Sequence, residues 1–567
     1  MRLKQYEFNE KGRSDLESSK YSKDWPVVYL INNKTEMYIG ETGHVYNRFN
    51  QHLQNPLRKD LKFFNCIFDD EFNKSAVLDI EQSLIQLCNT DNKYKIQNLN
   101  AGQSEKHNYY QREMYLGKLE DIWRTLRRNK LADHDYLWLK NTDMFKYSPY
   151  STLTPEQNEV CYGIINEILD CLQNGKDGTT IVNGGAGTGK TIVAINTIFN
   201  IVNAKRVDVA IEENEGITKE QSVLLKLKEY VMEHGDIKIA FVLPMVSIRN
   251  TIQAVFKATQ NGLSADMVMA PNNIVDQVYD VIFVDEAHRL CKRKNIVNYK
   301  TFDDACNTLG MDKNTATQLD WILKQSKYRV LFYDENQSIK GSDISKDYFE
   351  TALKNTEKLE FVLKSQMRCE GGSAFTSYVN DIFNIDVVYK KEIQNYEFKL
   401  FDDVDLMIDE IKNLNDKNEL CRVAAGYSWK WISKGCKSKK EAVDKGLEDI
   451  SIDGHKYVWN MKSSQWIIDD SSIEEIGCVH TTQGYDLNYV GVILGEEIDY
   501  NFDDGSITVD RNKFFDSNVK NNSNDDELKK YIINAYKVMM TRGIKGCYVY
   551  ACNKSIREYL RKFINSF

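Results

Sequence analysis

Apolar residues along this chain fall into two alternating spacings. Short β-branched runs mark strands, and runs with apolar positions three and four apart mark helices. Near the start, VVYLI (27–31) and EMYIG (36–40) flank the turn NNKT, which predicts a hairpin. A helix carrying Arg48 and His52 follows, and their spacing puts both on one face. SAVLDIEQSLIQLC (75–88) reads as an amphipathic helix with Val77, Ile80, Leu84 and Leu87 inward and Glu81 beside that stripe.

Beyond residue 178 the same alternation continues on a larger scale. TTIVNGG ends in a Gly-rich turn, and Ile192, Ile195, Phe199 and Val202 then recur at helical spacing. Apolar strand signals return at VYDVIFV (278–284), RVLFY (329–333), NYVGVILG (488–495) and GCYVYA (546–551). Strands alternating with helices in both halves predict an α/β fold, with two parallel-sheet lobes behind a smaller α/β module. Two charged stretches, Val207 to Asp236 and Trp429 to Asp470, fit this scheme poorly and read as insertions. The second is either a strand-contacting surface with stacking aromatics or a solvated loop cluster. Between module and lobes, 105–147 reads as helix with a basic end (Arg124, Arg127, Arg128, Lys130), either a packed linker or a nucleic-acid track.

Composition narrows the class. A chain of 567 residues exceeds one hydrophobic core, and 42% hydrophobic residues with only 6 prolines point to folded domains throughout. A net charge of −9 excludes a wholly basic nucleic-acid coat and leaves a local basic groove open. The 12 cysteines form no CxxC pair, which argues against a zinc ribbon and fits reduced thiols in a cytoplasm. No apolar run reaches membrane-spanning length and none follows the basic N-terminus, so the expectation is a soluble, cytoplasmic chain with no membrane partner.

The candidate chemistry begins at Gly184, Gly187, Gly189, Lys190 and Thr191, which lie within GxxxxGK[ST] between a strand and a helix. Glycines let backbone N–H groups close around a β-phosphate, and the helix N-terminus adds positive potential there. Lys190 would reach the β- and γ-phosphates of ATP, and the Thr191 hydroxyl would hold Mg²⁺. About a hundred residues on, the strand VYDVIFV ends in Asp285-Glu286-Ala287-His288. Asp285 suits a Mg²⁺-bound water, and Glu286 can position or deprotonate the attacking water.

From Ser148 to the C-terminus the motifs resemble superfamily 1 helicases, most closely the Schlafen-like DNA/RNA helicase domain. LTPEQ (153–157) stands where such helicases keep an adenine-reading glutamine, which implies that role for Gln157. FVLPMVSIRNTIQAVF (241–256) resembles motif Ia, and RVLFYDENQSIK (329–340) resembles motif III, with Gln337 as γ-phosphate sensor and Tyr333-Asp334 replacing the usual glycine-aspartate pair. LKSQMRC (363–369) resembles motif IV with Arg368 as one arginine finger. VHTTQGYDLNYVGVILG (479–495) resembles motif V, placing Thr482, Gln483 and Gly484 before a strand. NAYKVMMTRGIKGCYVYA (534–551) resembles motif VI with Arg542 as the second finger. Guanidinium groups from a second lobe would meet charge on the transferring phosphoryl group when the cleft closes.

The N-terminal module resembles the GIY-YIG nuclease domain. Tyr29 matches the first motif's tyrosine, Tyr38-Ile39-Gly40 matches the second, and Arg48, His52, Glu81 and Asn98 fall where the family keeps its arginine, histidine, glutamate and asparagine. The first motif reads Val27-Val28-Tyr29 and lacks the family's glycine and isoleucine. The resemblance implies that Glu81 holds a divalent metal, Mg²⁺ or Mn²⁺, at the scissile phosphate, and that Arg48 offsets charge in the transition state. A tyrosine phenolate or a water relay would deprotonate the nucleophile with His52 assisting; an ordinary tyrosine, with pKa near 10, would need help from the metal or Arg48.

The expected architecture is a GIY-YIG domain at 24–104, a helical linker at 105–147, and RecA-like lobes at 148–362 and 363–567. The expected activity is an ATP-dependent motor that feeds DNA or RNA, a single strand in its cleft, to the nuclease, a pairing that suits antiviral defence, restriction or repair. An ATP-gated nuclease or sensor without unwinding, and a binding scaffold with an inactive nuclease, are the alternatives.

Overall fold

A computed structural model describes the chain except residues 99–108, 186, 208–217, 260, 295, 297, 335–341, 355, 365–368, 387–388, 437, 462–465, 467–469, 483–485 and 522. The first sheet has five strands in the order β1-β4-β2-β3-β5. These are β1 (Arg2–Glu7), β2 (Val27–Asn32), β3 (Glu36–Thr42), β4 (Phe63–Phe68) and β5 (Lys95–Ile96). All neighbours run antiparallel except β3 and β5. The hairpin β2–β3 pairs Tyr29 with Gly40 and Ile31 with Tyr38, so the two tyrosines of the motifs stand close across the ladder. Edge strand β1 lies upstream of the nuclease-like motifs and pairs with β4 along its whole length. Helices α1 (Val45–Gln54) and α2 (Lys74–Asp91) cover opposite faces. The Asn73 side chain caps α2 by accepting the Ala76 N–H at 2.8 Å.

The chain then passes through helix α3 (Leu119–Arg128), anchored by the fully buried Trp123. Two residues of its basic end are already paired: Arg124 meets Glu120 and Asp121, and Arg127 meets Asp135.

The first lobe is a six-stranded, all-parallel sheet ordered β11-β6-β10-β9-β7-β8. Its strands are β6 (Gly178–Gly184), β7 (Ile239–Val242), β8 (Val268–Met269), β9 (Tyr279–Val284), β10 (Ser326–Tyr333) and β11 (Glu357–Leu363). Helices α4 (Pro155–Asn174), α5 (Lys190–Val202) and α6 (Val246–Thr259) flank it. The second lobe holds a six-stranded parallel sheet ordered β16-β13-β17-β20-β12-β21. Its strands are β12 (Glu397–Leu400), β13 (Cys421–Ala425), β16 (Ile476–Cys478), β17 (Leu487–Leu494), β20 (Gly543–Ala551) and β21 (Asn565–Ser566). The hairpins β14 (Ile450–Ile452)–β15 (His455–Tyr457) and β18 (Ile498–Asn501)–β19 (Ser506–Val509) extend it, and helix α7 (Asp525–Met540) packs against it. Continuous apolar strands buried on both faces are what a parallel sheet between helices requires.

Both supposed insertions carry core. In the first, Leu224, Leu227 and Val231 of a helix (Lys219–His234) are buried. In the second, Trp459 and Trp466 are buried and unavailable for stacking on a base. One apolar core runs without a break from the nuclease-like sheet (Val28, Ile39, Ile80) through the linker (Trp123, Leu139) into the first lobe (Ile164, Val193, Phe199). Among the described residues no helix is long and apolar enough to cross a membrane.

Candidate active sites

In the N-terminal module, Tyr29 on β2 and Arg48 and His52 on α1 converge in a buried cluster. Tyr29 Oη lies 2.8 Å from His52 Nε2 and accepts a hydrogen bond from Arg48 Nε at 3.2 Å. Tyr38 completes it, its ring centroid 5.0 Å from that of His52. Gly40 is required by this packing: a Cβ there would sit 2.2 Å from Tyr29 Oη. Burial, together with Tyr38, pushes the Tyr29 phenol well above its ordinary range, against the pull of Arg48. Burial beside Arg48 and Arg58 holds His52 down to about 3, so its imidazole is neutral.

Glu81 of α2 faces the same cluster. Burial and the neighbouring Glu41 raise its carboxyl to about 8, against the opposing pull of Lys74 and Arg48. Two residues absent from the sequence expectation enter here. Glu41 directly follows the YIG triplet and is paired with Lys74 at 2.7 Å. Arg58 stacks its guanidinium 3.7 Å above the centre of the Tyr38 ring and donates to Gln97 at 2.8 Å. Glu41 has a local sequence cue in its place after the triplet; Arg58, in a short polar turn, has none. The Asn98 side chain bonds both backbone groups of Ile39, accepting at 3.0 Å and donating at 2.8 Å.

In the first lobe, β6 ends in the glycine turn and α5 starts at Lys190. Gly187 and Gly189 take φ values of 82° and 83°, which side chains rarely adopt. A Cβ on Gly184 would meet Thr188 Oγ1 at 2.6 Å. Lys190 Nζ donates to the Gly184 and Gly185 carbonyls and lies 3.7 Å from Asp334, just past the end of the adjacent β10. Thr191 donates to Asp285 Oδ2 at 2.6 Å, joining the glycine turn to the end of β9. Burial and the neighbouring Glu286 raise Asp285 to about 6.

Glu286 takes a left-handed backbone with φ 53°, a conformation uncommon for any residue but glycine. Its carboxylate lies 2.9 Å from His288 Nε2 and 3.7 Å from Arg289 Nε. Burial alone would raise it; His288 and Arg289 outweigh burial and hold it well below the usual carboxylate range. Gln157 is buried, with its Oε1 accepting the Thr154 N–H at 3.0 Å and its Nε2 donating to the Thr188 carbonyl at 2.9 Å. It therefore ties the glycine turn to the capping box of α4.

In the second lobe, Thr482 is buried, and the backbone of Arg542 accepts the Leu487 N–H at 3.0 Å, so motifs V and VI lie side by side. Arg542 is itself 3% exposed. Gln337, Arg368, Gln483 and Gly484 lie outside the described residues. The structure thus gathers Tyr29, Tyr38, Arg48, His52 and Glu81 in one place and Lys190, Thr191 and Asp285 in another.

Two family models match the chain, one over each of these regions. Residues 178–553 match the family model described as the Schlafen group 3 DNA/RNA helicase domain, and residues 26–95 match the GIY-YIG catalytic domain. An uncharacterized protein of Saccharomyces cerevisiae is 27% identical over 422 residues, 67% of this chain and 83% of that protein. Among solved structures, the E. coli DExH-box NTPase HrpB aligns at 9% identity over 72% of this chain and 42% of its own, with a TM-score of 0.24. AMPPCP-bound DnaA from Aquifex aeolicus aligns at 14% identity over 48% of this chain and 64% of its own, with a TM-score of 0.20.

Proposed function

This chain belongs to the Schlafen group 3 DNA/RNA helicase family, and on that premise we propose that it is an ATP-dependent, superfamily 1 nucleic-acid motor coupled to a metal-dependent GIY-YIG endonuclease. The observation that carries this reading is the joining of Thr191 to Asp285 at the foot of the glycine turn, on the same apolar core as the Tyr29–His52–Arg48 cluster. We divide the chain into nuclease (24–104), linker (105–147) and lobes (148–362 and 363–567), the β1 edge strand belonging with the nuclease.

The donor sets fit the groups they would hold. Lys190 has its ammonium among the glycine-turn carbonyls and beside Asp334, and ATP phosphates offer it the same negative charge. Asp285 and Glu81 are each raised by burial and a second carboxylate, which marks both places as short of positive charge. Thr191 and Asp285 would hold Mg²⁺ with ATP, and Glu81, with Glu41 beside it, would hold Mg²⁺ or Mn²⁺. A bound divalent ion supplies charge neutralisation at the phosphorus undergoing attack.

This chain's residues do the rest. Glu286, ionised and held by His288, orients water toward the γ-phosphate. Gln157 reads the adenine, Gln337 senses the γ-phosphate, and Arg368 and Arg542 serve as fingers from the second lobe. In the nuclease, Arg48 faces the scissile phosphate, and a water relay, or a Tyr29 phenolate formed with help from the metal and Arg48, deprotonates the nucleophile with His52 assisting 2.8 Å away. The pairing of motor and nuclease suits antiviral defence, restriction or repair in a cytoplasm.

The test is a cleavage assay on single- and double-stranded DNA and RNA, with Mg²⁺ or Mn²⁺ and with or without ATP, alongside strand displacement. Metal-dependent cutting, stimulated by ATP and accompanied by displacement, is expected. Cutting and ATP turnover with no displacement would replace the motor with an ATP gate. Absence of cutting on all substrates would leave a binding scaffold.

A further inference from the structure

The β3–β5 ladder stops early: Glu36 pairs with Lys95 and Met37 with Ile96, and the Gln97 N–H donates to the Met37 carbonyl at 2.8 Å. Beyond that point the Asn98 side chain takes over, gripping both backbone groups of Ile39, the residue between Tyr38 and Gly40. The YIG strand, paired with β2 along one edge from Met37 to Thr42, is thus held along its other edge by Asn98, next to the seat of Tyr29 over Gly40.

Asn98 is held from the motor side. Tyr150 donates its hydroxyl to the Asn98 carbonyl at 3.0 Å. Asn261, just past the end of α6, donates to Tyr150 Oη and to the Ile96 carbonyl. Asn203, just past the end of the glycine-turn helix α5, donates to the Asn261 carbonyl at 2.9 Å. The Tyr150 ring meets Phe199 of α5 edge to face at 5.2 Å. All four polar residues are withdrawn from water, with exposures of 7% for Asn98, 0% for Tyr150, 4% for Asn261 and 3% for Asn203. A buried polar chain of this kind is costly to break, because each freed group is left without water.

We propose that Tyr150 and Asn261, supplied by the motor half, are positioning residues of the nuclease: through Asn98 they fix the strand that carries Tyr38 and Gly40. The nuclease site is then completed by the motor rather than merely tethered to it. The apolar core shared between the nuclease-like sheet and the first lobe supports that contact. This inference rests on the nuclease reading above, and its test separates the two.

Tyr150→Phe in the full chain keeps the ring against Phe199 and removes only the hydroxyl. Cleavage kcat should fall roughly tenfold, as expected for a small misplacement of reacting groups, with KM within about twofold and ATP turnover unchanged. Hydrogen exchange across residues 36–42 should accelerate while that of β6 stays as it was. In an Asn98→Ala background, where the grip on Ile39 is already gone, the same change should cost nothing further. Wild-type kcat together with unchanged exchange overturns the proposal. So does parallel loss of cleavage and ATP turnover in step with lost folded protein. If Tyr150→Phe does not fold, Asn261→Ala is read by the same measurements. If the wild-type chain cuts nothing, the nuclease reading fails and exchange at 36–42 alone decides the positioning claim.

Discussion

Glu81 in the nuclease and Glu286 in the motor are both acids withdrawn from water, and they end in opposite states. Burial raises each of them. What separates them is the neighbouring charge. Glu81 has a second carboxylate, Glu41, close by, and the single lysine near the pair, Lys74, is already 2.7 Å from Glu41; the Glu81 carboxyl rises to about 8. Glu286 has His288 at 2.9 Å and Arg289 at 3.7 Å, and it stays ionised. The motor's true counterpart to Glu81 is Asp285, which burial and the neighbouring Glu286 raise to about 6. Each half thus pairs two acids and leaves one of them short of positive charge. In the motor the second acid lies beside His288 and Arg289; in the nuclease it is paired with Lys74. On the proposed roles, Glu286 is already ionised before any ligand arrives, whereas Glu81 would give up its proton to an incoming ion.

The largest effects come from removing the two acids in turn. Glu286→Gln keeps the shape and removes the charge that orients water. ATP turnover should fall about 10²–10³-fold in a steady-state phosphate-release assay, with nucleotide affinity retained. Metal-dependent cleavage measured without ATP should stay at wild-type level, and a matching loss there would merge the two sites. Glu81→Gln reverses the pattern. Cleavage should drop by roughly 10²-fold or more with ATP turnover intact, since one ligand of the nuclease ion is gone. Equal cutting by Glu81→Gln and wild type would remove Glu81 from the site.

How much of this was readable along the chain depends on how local each constraint is. The glycine turn is legible because Gly187 and Gly189 need positive φ and Gly184 has Thr188 against it, all within eight residues. The two parallel sheets are legible for the same reason: strands buried on both faces are apolar throughout, and helical spacing between them survives in sequence. The family models, 26–95 and 178–553, rest on such local patterns. By contrast, the grip of Asn98 by Tyr150 and Asn261 joins residues 52 and 111 positions apart and follows no periodicity. Arg58 over Tyr38 is a tertiary contact of an ordinary-looking turn arginine. Trp459 and Trp466 look like stacking residues in a polar stretch, and only packing reveals that they are core.

A moderate effect tests the cause of the Glu81 shift. At limiting metal, kcat/KM for cleavage should rise with pH through about 8, because the ion must displace a proton from Glu81. Saturating metal should move that limb to lower pH. Glu41→Gln removes the like charge and should also shift the limb down, by about one pH unit. The sign for stability runs the same way. With its folded value above the ordinary 4.5, Glu81 holds a proton in the folded state that the unfolded chain releases, so metal-free stability should fall from pH 4.5 to about 8 and level off above. Thermal unfolding that strengthens across that window would contradict the assignment.

The smallest effect comes from Lys74, which with Arg48 draws Glu81 back toward ionisation. Its side chain is 50% exposed, so its field is weakened by water and salt. Lys74→Met should therefore move the acid limb of cleavage to higher pH, opposite to Glu41→Gln, and by only a few tenths of a pH unit. Raising the ionic strength should shrink the gap between Lys74→Met and wild type while leaving the Glu41→Gln shift largely in place, since Glu41 is half-buried beside Glu81. Should neither Lys74→Met nor Glu41→Gln move the limb, the difference between the two acids would lie in burial alone rather than in the charges beside them.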